Sequence, residues 1–133
     1  MSSVNPHFTF NYSQPEEYRF SHDSVFLARR VFERLREEDM GDWKVLDLCA
    51  GCGIIGLDFL FHLAKANRPL PQVDFVEVQE IYAEHFRENA RRLGRGAQLD
   101  FQVRSYAQIT GEYDLILCNP PYFREGQGAL SKS

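Results

Sequence analysis

The stretch WKVLDLCAGCGIIG, residues 43–56, decides the fold, because a short apolar run passes through a glycine-rich turn directly into a helical pattern. Residues 43–48 have the composition of a buried strand, and the apolar spacing predicts a helix over residues 54–66. Gly51 and Gly53 lie between these elements, where glycine permits a tight turn and lets a ligand approach the backbone. The stretch predicts a strand–turn–helix unit whose turn is either a ligand site or a plain connection.

The rest of the chain continues this alternation of helices and strands. Residues 1–20 are rich in Asn, Ser, Pro and aromatic residues and form a predicted irregular arm, followed by one domain over residues 21–133. The other predicted elements are helices over residues 21–39 (with Ser21 or Asp23 as N-cap) and 79–93, and strands over residues 72–78, 99–103 and 113–118. Such alternation predicts an α/β, Rossmann-like open parallel sheet that binds ligands at the carboxyl ends of its strands.

Composition narrows the functional classes. The 133 residues suit a single domain, and 15 basic against 19 acidic residues give a formal net charge of -4. This balance lacks the strong basic field of a self-sufficient nucleic-acid binder, although Arg91 and Arg92 leave a local basic patch. Three cysteines do not make a secreted disulfide framework, and neither a signal-peptide pattern nor a membrane-length apolar stretch is visible. We expect a cytoplasmic protein without membrane contact.

An acidic residue ends the second predicted strand. Glu77 follows the glycine turn by roughly 25 residues, where a carboxylate can accept hydrogen bonds from both ribose hydroxyls of a bound nucleotide. The alternative is an exposed acid that binds nothing. Gly51, Gly53 and Gly56 also fit the Gly-x-Gly-x-x-Gly spacing of nicotinamide dehydrogenases, so the turn alone does not identify the cofactor.

The fourth predicted strand runs into Asn119, Pro120, Pro121 and Tyr122. This NPPY string resembles the motif of class I S-adenosylmethionine-dependent methyltransferases that act on adenine N6 or on protein glutamine N5. The segments YRFSHDSVFLARRV (18–31) and NPPYFREGQGALS (119–131) resemble those of the tRNA adenine-N6 methyltransferases that modify the adenosine beside the anticodon. The resemblance covers roughly residues 14–130 and implies S-adenosylmethionine as cofactor.

The NPPY residues suit transfer to a planar amino group. An exocyclic amine or an amide nitrogen is a poor nucleophile, because its lone pair is delocalised. The Asn119 side-chain carbonyl and the Pro120 backbone carbonyl can each accept one of its N–H hydrogen bonds and aim its lone pair at the methyl group. The prolines fix φ and add no competing donor, and Tyr122 offers a flat stacking face. Positioning of this kind can carry most of the rate.

The resemblance also implies the remaining site residues. The predicted cofactor contacts are Asp47, Cys49, Gly51 and Gly53 around the methionine part, Glu77 on the ribose, Phe20, Ser21, Asp23 and Ser24 at the cofactor's edge, and Asn119. An ordinary helix N-cap is the alternative for the residues before the first helix. Ser105 or Tyr106 stands where the family usually carries an acid that contacts the adenine, so we expect a weaker or different contact there.

The three cysteines and the end of the chain complete the predictions. Cys49 and Cys52 are interpreted as packing residues, and no metal site is predicted. The resembled class usually has seven strands and only four are predicted here. In the strand order 3-2-1-4 that the resemblance implies, the fourth strand would be a bare edge. We therefore expect either a piece of a longer enzyme or a chain that pairs with another chain, which is a partner or, in a homo-oligomer, a second copy of itself. We also expect little turnover by this chain alone.

Three functions remain open at this point. The favoured substrate is adenine N6 in tRNA or another RNA, supported by residues 119–131. Protein glutamine N5 is the second, mildly favoured by the net charge of -4. The third is a catalytically silent cofactor-binding module that a partner chain completes, which the missing strands and the absent acid favour.

Overall fold

The computed structural model describes residues 12–13, 22–93 and 99–119, which form one parallel sheet with helices packed against it. The elements are α1 (His22–Leu35), β1 (Lys44–Leu48), α2 (Ile54–Lys65), β2 (Gln72–Glu77), α3 (Ala83–Leu93), β3 (Leu99–Val103) and β4 (Leu115–Cys118). The strand order is β3-β2-β1-β4, and all three strand pairs are parallel. The predicted α/β class and the order 3-2-1-4 are confirmed.

Several element boundaries differ from the predictions, among them the end of α1 at Leu35 rather than residue 39. Asp23 lies inside the first turn of α1 and is therefore not its N-cap, whereas Ser21 lies outside the described residues. A 3₁₀ turn at Glu80–Tyr82 precedes α3. β4 begins at Leu115 rather than residue 113, and just before it the side-chain Oδ2 of Asp114 accepts the Lys44 N–H at 2.9 Å.

The core lies between the helices and one face of the sheet. Val45, Val73 and Phe75 are completely buried on that face, and Phe86 of α3 packs its ring 4.6 Å from that of Phe75. The ring of Phe101 on β3 lies 4.5 Å from that of Phe86, so aromatic stacking joins α3 to the outer strand. The Phe-rich composition thus serves the contact between α3 and the sheet.

Helix α2 is the most deeply buried helix, because it packs against α1 as well as against α3 and β1. Its buried residues are Ile54, Ile55, Gly56, Leu57, Asp58, Phe59, Leu60 and Leu63. Such nearly continuous burial matches a helix placed between a sheet and a second helix. In the described part of the chain, no helix combines the length and the apolar character needed to cross a membrane.

The strand register brings every strand's carboxyl end to one edge of the sheet. Leu48 pairs with Val76 on one side and with Cys118 on the other, and Glu77 pairs with Val103. The glycine turn after β1 therefore lies between Glu77 and Asn119. On the far side, β4 has only β1 as a strand neighbour within the described residues, and Ile116 is 56% exposed.

Candidate functional site

The turn between β1 and α2 has an unusual backbone. Cys49, Gly51 and Gly53 all have left-handed φ values, of 59°, 55° and 86°. Glycine adopts such angles freely, whereas a residue with a side chain pays roughly 1 kcal/mol or more. Cys49 is therefore a strained position that the surrounding structure must hold in place.

The three glycines of this segment have different surroundings. A Cβ built on Gly53 would lie 2.6 Å from Phe86 Cδ1, and one on Gly56 would lie 2.5 Å from Phe75 Cε2. Both glycines therefore serve close packing beneath the turn. A Cβ on Gly51 would meet nothing nearer than Tyr82 Cε1 at 3.9 Å. Of the three, Gly51 is the one with room for a ligand beside its backbone.

Glu77 holds the turn from the side of β2. Its side chain is buried, with Oε1 accepting the Gly51 N–H at 2.8 Å and Oε2 accepting the Gln79 N–H at 3.0 Å. A carboxylate has about four acceptor sites, so both oxygens keep one for a ligand. Glu77 thus links two strand ends in addition to the ribose contact predicted for it, which stays a prediction.

Asp47 lies beneath the turn on the core-facing side of β1. It is completely buried, Oδ2 accepts the Gly56 N–H at 2.9 Å, and Oδ1 has no hydrogen-bond partner among the described residues. Burial raises the pKa of this carboxyl to about 8, the Gly56 hydrogen bond opposes that rise, and the charge of Glu77 adds to it. Because Asp47 has no exposed surface, its visible role is to hold the first turn of α2 against β1.

Asn119 follows β4 directly and contacts the first turn of α1. Its Nδ2 donates to Ser24 Oγ at 3.1 Å, and Ser24 is 7% exposed. The carboxamide oxygen of Asn119 accepts no hydrogen bond from the described residues, so it is available as an acceptor. Of the four residues predicted at the cofactor's edge, two are described: Ser24 contacts this amide, whereas Asp23 is exposed.

Two thiols and a phenol meet at the same edge. Cys49 is close enough to both Tyr106 and Cys118 to influence the pKa of each. Burial is the main cause that raises the pKa of the Tyr106 hydroxyl, and burial followed by the influence of Cys49 raises that of the Cys118 thiol to about 11. Both groups are therefore protonated at neutral pH. Cys49 is half-buried and Cys52 is buried, so both fit the interpretation as packing residues, and the cofactor contact of Cys49 stays a prediction.

The segment after β3 separates the two residues considered for the adenine contact. Ser105 caps a 3₁₀ turn: its Oγ accepts the Ala107 N–H at 3.2 Å, and its own N–H donates to Gln108 Oε1 at 3.1 Å. Tyr106 instead lies near Cys49, the residue that follows β1. Of these two residues, Tyr106 is the one that lies with Cys49 and Cys118 at the carboxyl edge of the sheet.

Several functional contacts escaped the sequence reasoning, and several predicted residues are not described. Ser24 as a partner of Asn119 and Tyr106 as a partner of Cys49 join segments remote in sequence, and no local pattern signals them. Asn89 was missed too, although a polar residue at the buried spacing of α3 is a usable signal. The predicted site residues Phe20, Ser21, Pro120, Pro121 and Tyr122 lie outside the described residues.

Comparison with known proteins identifies the family of this chain. The family described as "Methyltransferase small domain" matches residues 16–132. "Ribosomal protein uL3 glutamine methyltransferase" of Bordetella pertussis is 29% identical over 125 residues, which cover 85% of this chain and 40% of that protein. "tRNA1(Val) (adenine(37)-N6)-methyltransferase" of Shewanella sp. (strain MR-4) is 36% identical over 92 residues, which cover 65% of this chain and 36% of that protein.

A solved structure also matches. TrmN from Thermus thermophilus superimposes with a TM-score of 0.58 at 28% identity, covering 73% of this chain and 28% of TrmN. This chain therefore spans less than half the length of each of these three proteins.

Proposed function

The chain belongs to the methyltransferase small domain family, and from this membership we propose that it binds S-adenosylmethionine and presents a planar amino nitrogen to the cofactor's methyl group. The observation that carries the proposal is the position of Asn119. Its amide nitrogen is held by Ser24, its amide oxygen is available, and it follows a strand paired with the strand that enters the glycine turn. An acceptor for the substrate amine thus stands beside the proposed cofactor site.

The residues at the turn fit a cofactor of this kind. Gly51 leaves space beside its backbone, and the buried Glu77 keeps an acceptor site on each oxygen for hydroxyl groups. Cys49 and Tyr106 form the side of the site nearest to β4 and β3. When bound, S-adenosylmethionine supplies the electrophilic methyl group of its sulfonium.

Asn119 would act by orientation. Its Oδ1 accepts one N–H of the substrate amino group, and the Ser24 hydroxyl fixes which end of the amide faces the substrate. The second N–H is assigned to the Pro120 carbonyl and the flat face of the substrate to Tyr122, as the NPPY string predicts. Two such bonds direct the nitrogen lone pair towards the methyl group, and correct geometry alone accelerates a reaction strongly.

The favoured substrate is the N6 amino group of an adenine in tRNA or another RNA. The support is the resemblance of residues 18–31 and 119–131 to tRNA adenine-N6 methyltransferases, together with the relative that carries this activity in its name. Glutamine N5 in a protein is the second candidate, favoured by the net charge of -4 and by the ribosomal-protein glutamine methyltransferase among the relatives. The same acceptor serves both, because each substrate offers a planar NH₂.

Two measurements test the proposal. Calorimetry should show binding of S-adenosylmethionine and none of NAD. Radiolabelled methyl transfer, with the chain at substrate-level concentration so that slow transfer is measurable, should label a total tRNA fraction in preference to ribosomal protein or release factor. Binding of NAD in place of S-adenosylmethionine would overturn the cofactor. Label in protein alone would select glutamine, and binding without label in either fraction would favour the silent module.

A further inference from the structure

Tyr12 and Ser13, which belong to the predicted irregular arm, pack against the helices, with Tyr12 buried and Ser13 half-buried. Tyr12 is completely buried, and its hydroxyl donates to Asp58 Oδ1 at 2.5 Å. Asp58 lies on α2 with 1% exposure, and its Oδ2 lies 3.2 Å from His62 Nε2. Burial, and then Asp58, raises the pKa of Tyr12, which keeps the hydroxyl protonated as a donor. This part of the N-terminal segment is thereby attached to α2.

A second attachment joins the same segment to α3. The Ser13 N–H donates to Asn89 Oδ1 at 2.5 Å, and Asn89 Nδ2 donates to the Ser13 carbonyl at 3.0 Å. The amide of Asn89 therefore pairs with the backbone of residue 13 as another peptide group would. The contact does not need the serine side chain, which instead lies 2.7 Å from His85 Nδ1.

The same amide also reaches the glycine turn. Asn89 Nδ2 donates to the Cys52 carbonyl at 3.2 Å, and an NH₂ group has the two hydrogens that this double donation requires. Asn89 is completely buried, so water does not compete for these bonds. One side chain on α3 thus joins the N-terminal segment to the residue between Gly51 and Gly53.

The turn is consequently held from two directions. Glu77 binds the N–H of Gly51 from β2, and Asn89 binds the carbonyl of Cys52 from α3. These bonds restrain a segment whose glycines could adopt many other backbone angles. Loss of Asn89 would leave the Cys52 carbonyl without this donor and would release one restraint on the turn. A buried polar group that loses its partner destabilises the structure around it.

We infer that Asn89 is a positioning residue for the cofactor-binding turn, and that it makes the affinity for S-adenosylmethionine depend on the docked residues Tyr12 and Ser13. The inference rests on the proposed function, since it takes the turn as the cofactor site. Asn89 does not touch the cofactor. It holds the Cys52–Gly53 peptide in the orientation that a bound cofactor meets, and the docked backbone of residue 13 holds the Asn89 amide.

The test compares Asn89→Ala with two matched tyrosine variants. Tyr12→Phe and Tyr113→Phe each remove one tyrosine–aspartate hydrogen bond, to Asp58 beside the docked segment and to Asp74 on β2 respectively. The readouts are the calorimetric Kd for S-adenosylmethionine, the urea midpoint, and hydrogen exchange of the Gly53 amide, which donates to the Ala50 carbonyl at 2.8 Å. All are measured where each variant is folded.

We expect Asn89→Ala to weaken cofactor binding about tenfold, the equivalent of one buried hydrogen bond, and to accelerate Gly53 exchange. Tyr12→Phe should weaken binding about twofold to threefold, a small part of the same coupling. Tyr113→Phe should lower the urea midpoint and leave the Kd and Gly53 exchange unchanged. In the Asn89→Ala background, Tyr12→Phe should have no further effect on the Kd, because the connection is already broken.

Equal losses of stability in all three variants, with an unchanged Kd and unchanged Gly53 exchange, would overturn the inference and leave Asn89 as a core residue. Should Asn89→Ala fail to fold, the tyrosine pair decides alone: an unchanged Kd in Tyr12→Phe refutes the coupling. If the unsubstituted chain binds no S-adenosylmethionine, the proposed function fails instead. Gly53 exchange in the unliganded chain then still shows whether the N-terminal segment acts on the turn.

Discussion

The glycine turn and the end of β4 lie side by side at one edge of the sheet, yet they are held very differently. The turn has buried partners on several sides, among them Glu77, Asn89 and the Phe86 ring. The end of β4 pairs with β1 alone in the described part of the chain, and one side-chain bond connects Asn119 to Ser24. The glycine turn, which is the proposed cofactor half of the site, is thus preorganised by the core. The end of β4, which is the proposed substrate half of the site, depends on few contacts.

This difference separates two kinds of mutational effect. Changes beneath the turn should alter folding stability and cofactor affinity together, because the same buried contacts serve both. Changes at the end of β4 should alter methyl transfer with little effect on either. The following predictions test that separation.

The largest effect is expected at Gly53. Gly53→Ala combines a left-handed φ of 86° with a Cβ 2.6 Å from Phe86, and should lower the free energy of unfolding by roughly 3 kcal/mol. Gly51→Ala, with a φ of 55° and no neighbour closer than 3.9 Å, should cost only about 1 kcal/mol while losing most cofactor affinity. Urea unfolding and calorimetry on the pair measure both effects. Equal losses of stability would show that the two glycines are not differently placed.

Asn119→Ala should have the next largest effect. We expect single-turnover methyl transfer to fall about 100-fold, because an oriented hydrogen bond to the reacting group is lost, while the Kd for S-adenosylmethionine changes less than about twofold. Radiolabel transfer to tRNA and calorimetry provide the two values. A loss of cofactor binding as large as the loss of transfer would contradict the role given to this amide and would merge the two halves of the site.

The buried carboxyl of Asp47 predicts a pH effect on stability. Its pKa, raised to about 8 in the folded chain, means that the unfolded chain ionises first as the pH rises. The Asp47 carboxyl therefore contributes its full stabilisation only below the pKa that it has in the unfolded chain. This contribution is lost as the pH rises from about 4 to 8, by at most roughly 1.4 kcal/mol per pH unit.

Asp47→Asn keeps an acceptor for the Gly56 N–H and removes the ionisation. The variant should thus gain stability relative to the unsubstituted chain as the pH rises from 6 to 8, measured by urea unfolding at intervals across that range. Glu77→Gln serves as the comparison variant, because it removes the neighbouring charge that contributes to the raised pKa of Asp47. Parallel stability curves for Asp47→Asn and the unsubstituted chain would show that Asp47 does not titrate in this window.

The smallest effect is expected at Ser24. Ser24→Ala removes the acceptor that orients the Asn119 amide, and should slow methyl transfer about fivefold, near 1 kcal/mol in the barrier, without changing cofactor affinity. Ser24→Thr keeps a hydroxyl and should restore the rate. Failure of threonine to restore transfer would indicate that the serine matters for packing rather than for the amide.

Local patterns were enough to predict the elements and their succession along the chain, whereas the strand order in the sheet was implied by the family resemblance. The apolar runs before residues 49 and 119, and the helical spacing after residue 54, each follow from neighbours in sequence. The start of β4 differs from the prediction at Asp114, whose side chain accepts the N–H of Lys44, a residue 70 positions away that no window around β4 contains. Long-range hydrogen bonds of this kind decide where a strand begins, and they leave no local signal.

Candidate site residues were less predictable than the fold. Glycines at a strand-to-helix turn signal a site, but only the surroundings distinguish Gly51, which faces space, from Gly53 and Gly56, which face aromatic rings. Likewise, the turn itself signals Cys49, but its neighbours Tyr106 and Cys118 come from separate strand ends and could not be predicted locally.

The sequence by itself determined the alternation of strands and helices, the parallel sheet that follows from it, and the glycine turn and asparagine at strand ends, because these depend on periodicity and on residue type. Only the tertiary structure decided that Asn89 binds both Ser13 and Cys52, that Tyr12 is buried on Asp58, and that Ser24 holds Asn119. The physical reason is that buried polar groups must find partners, and the partners become neighbours only when the chain has folded.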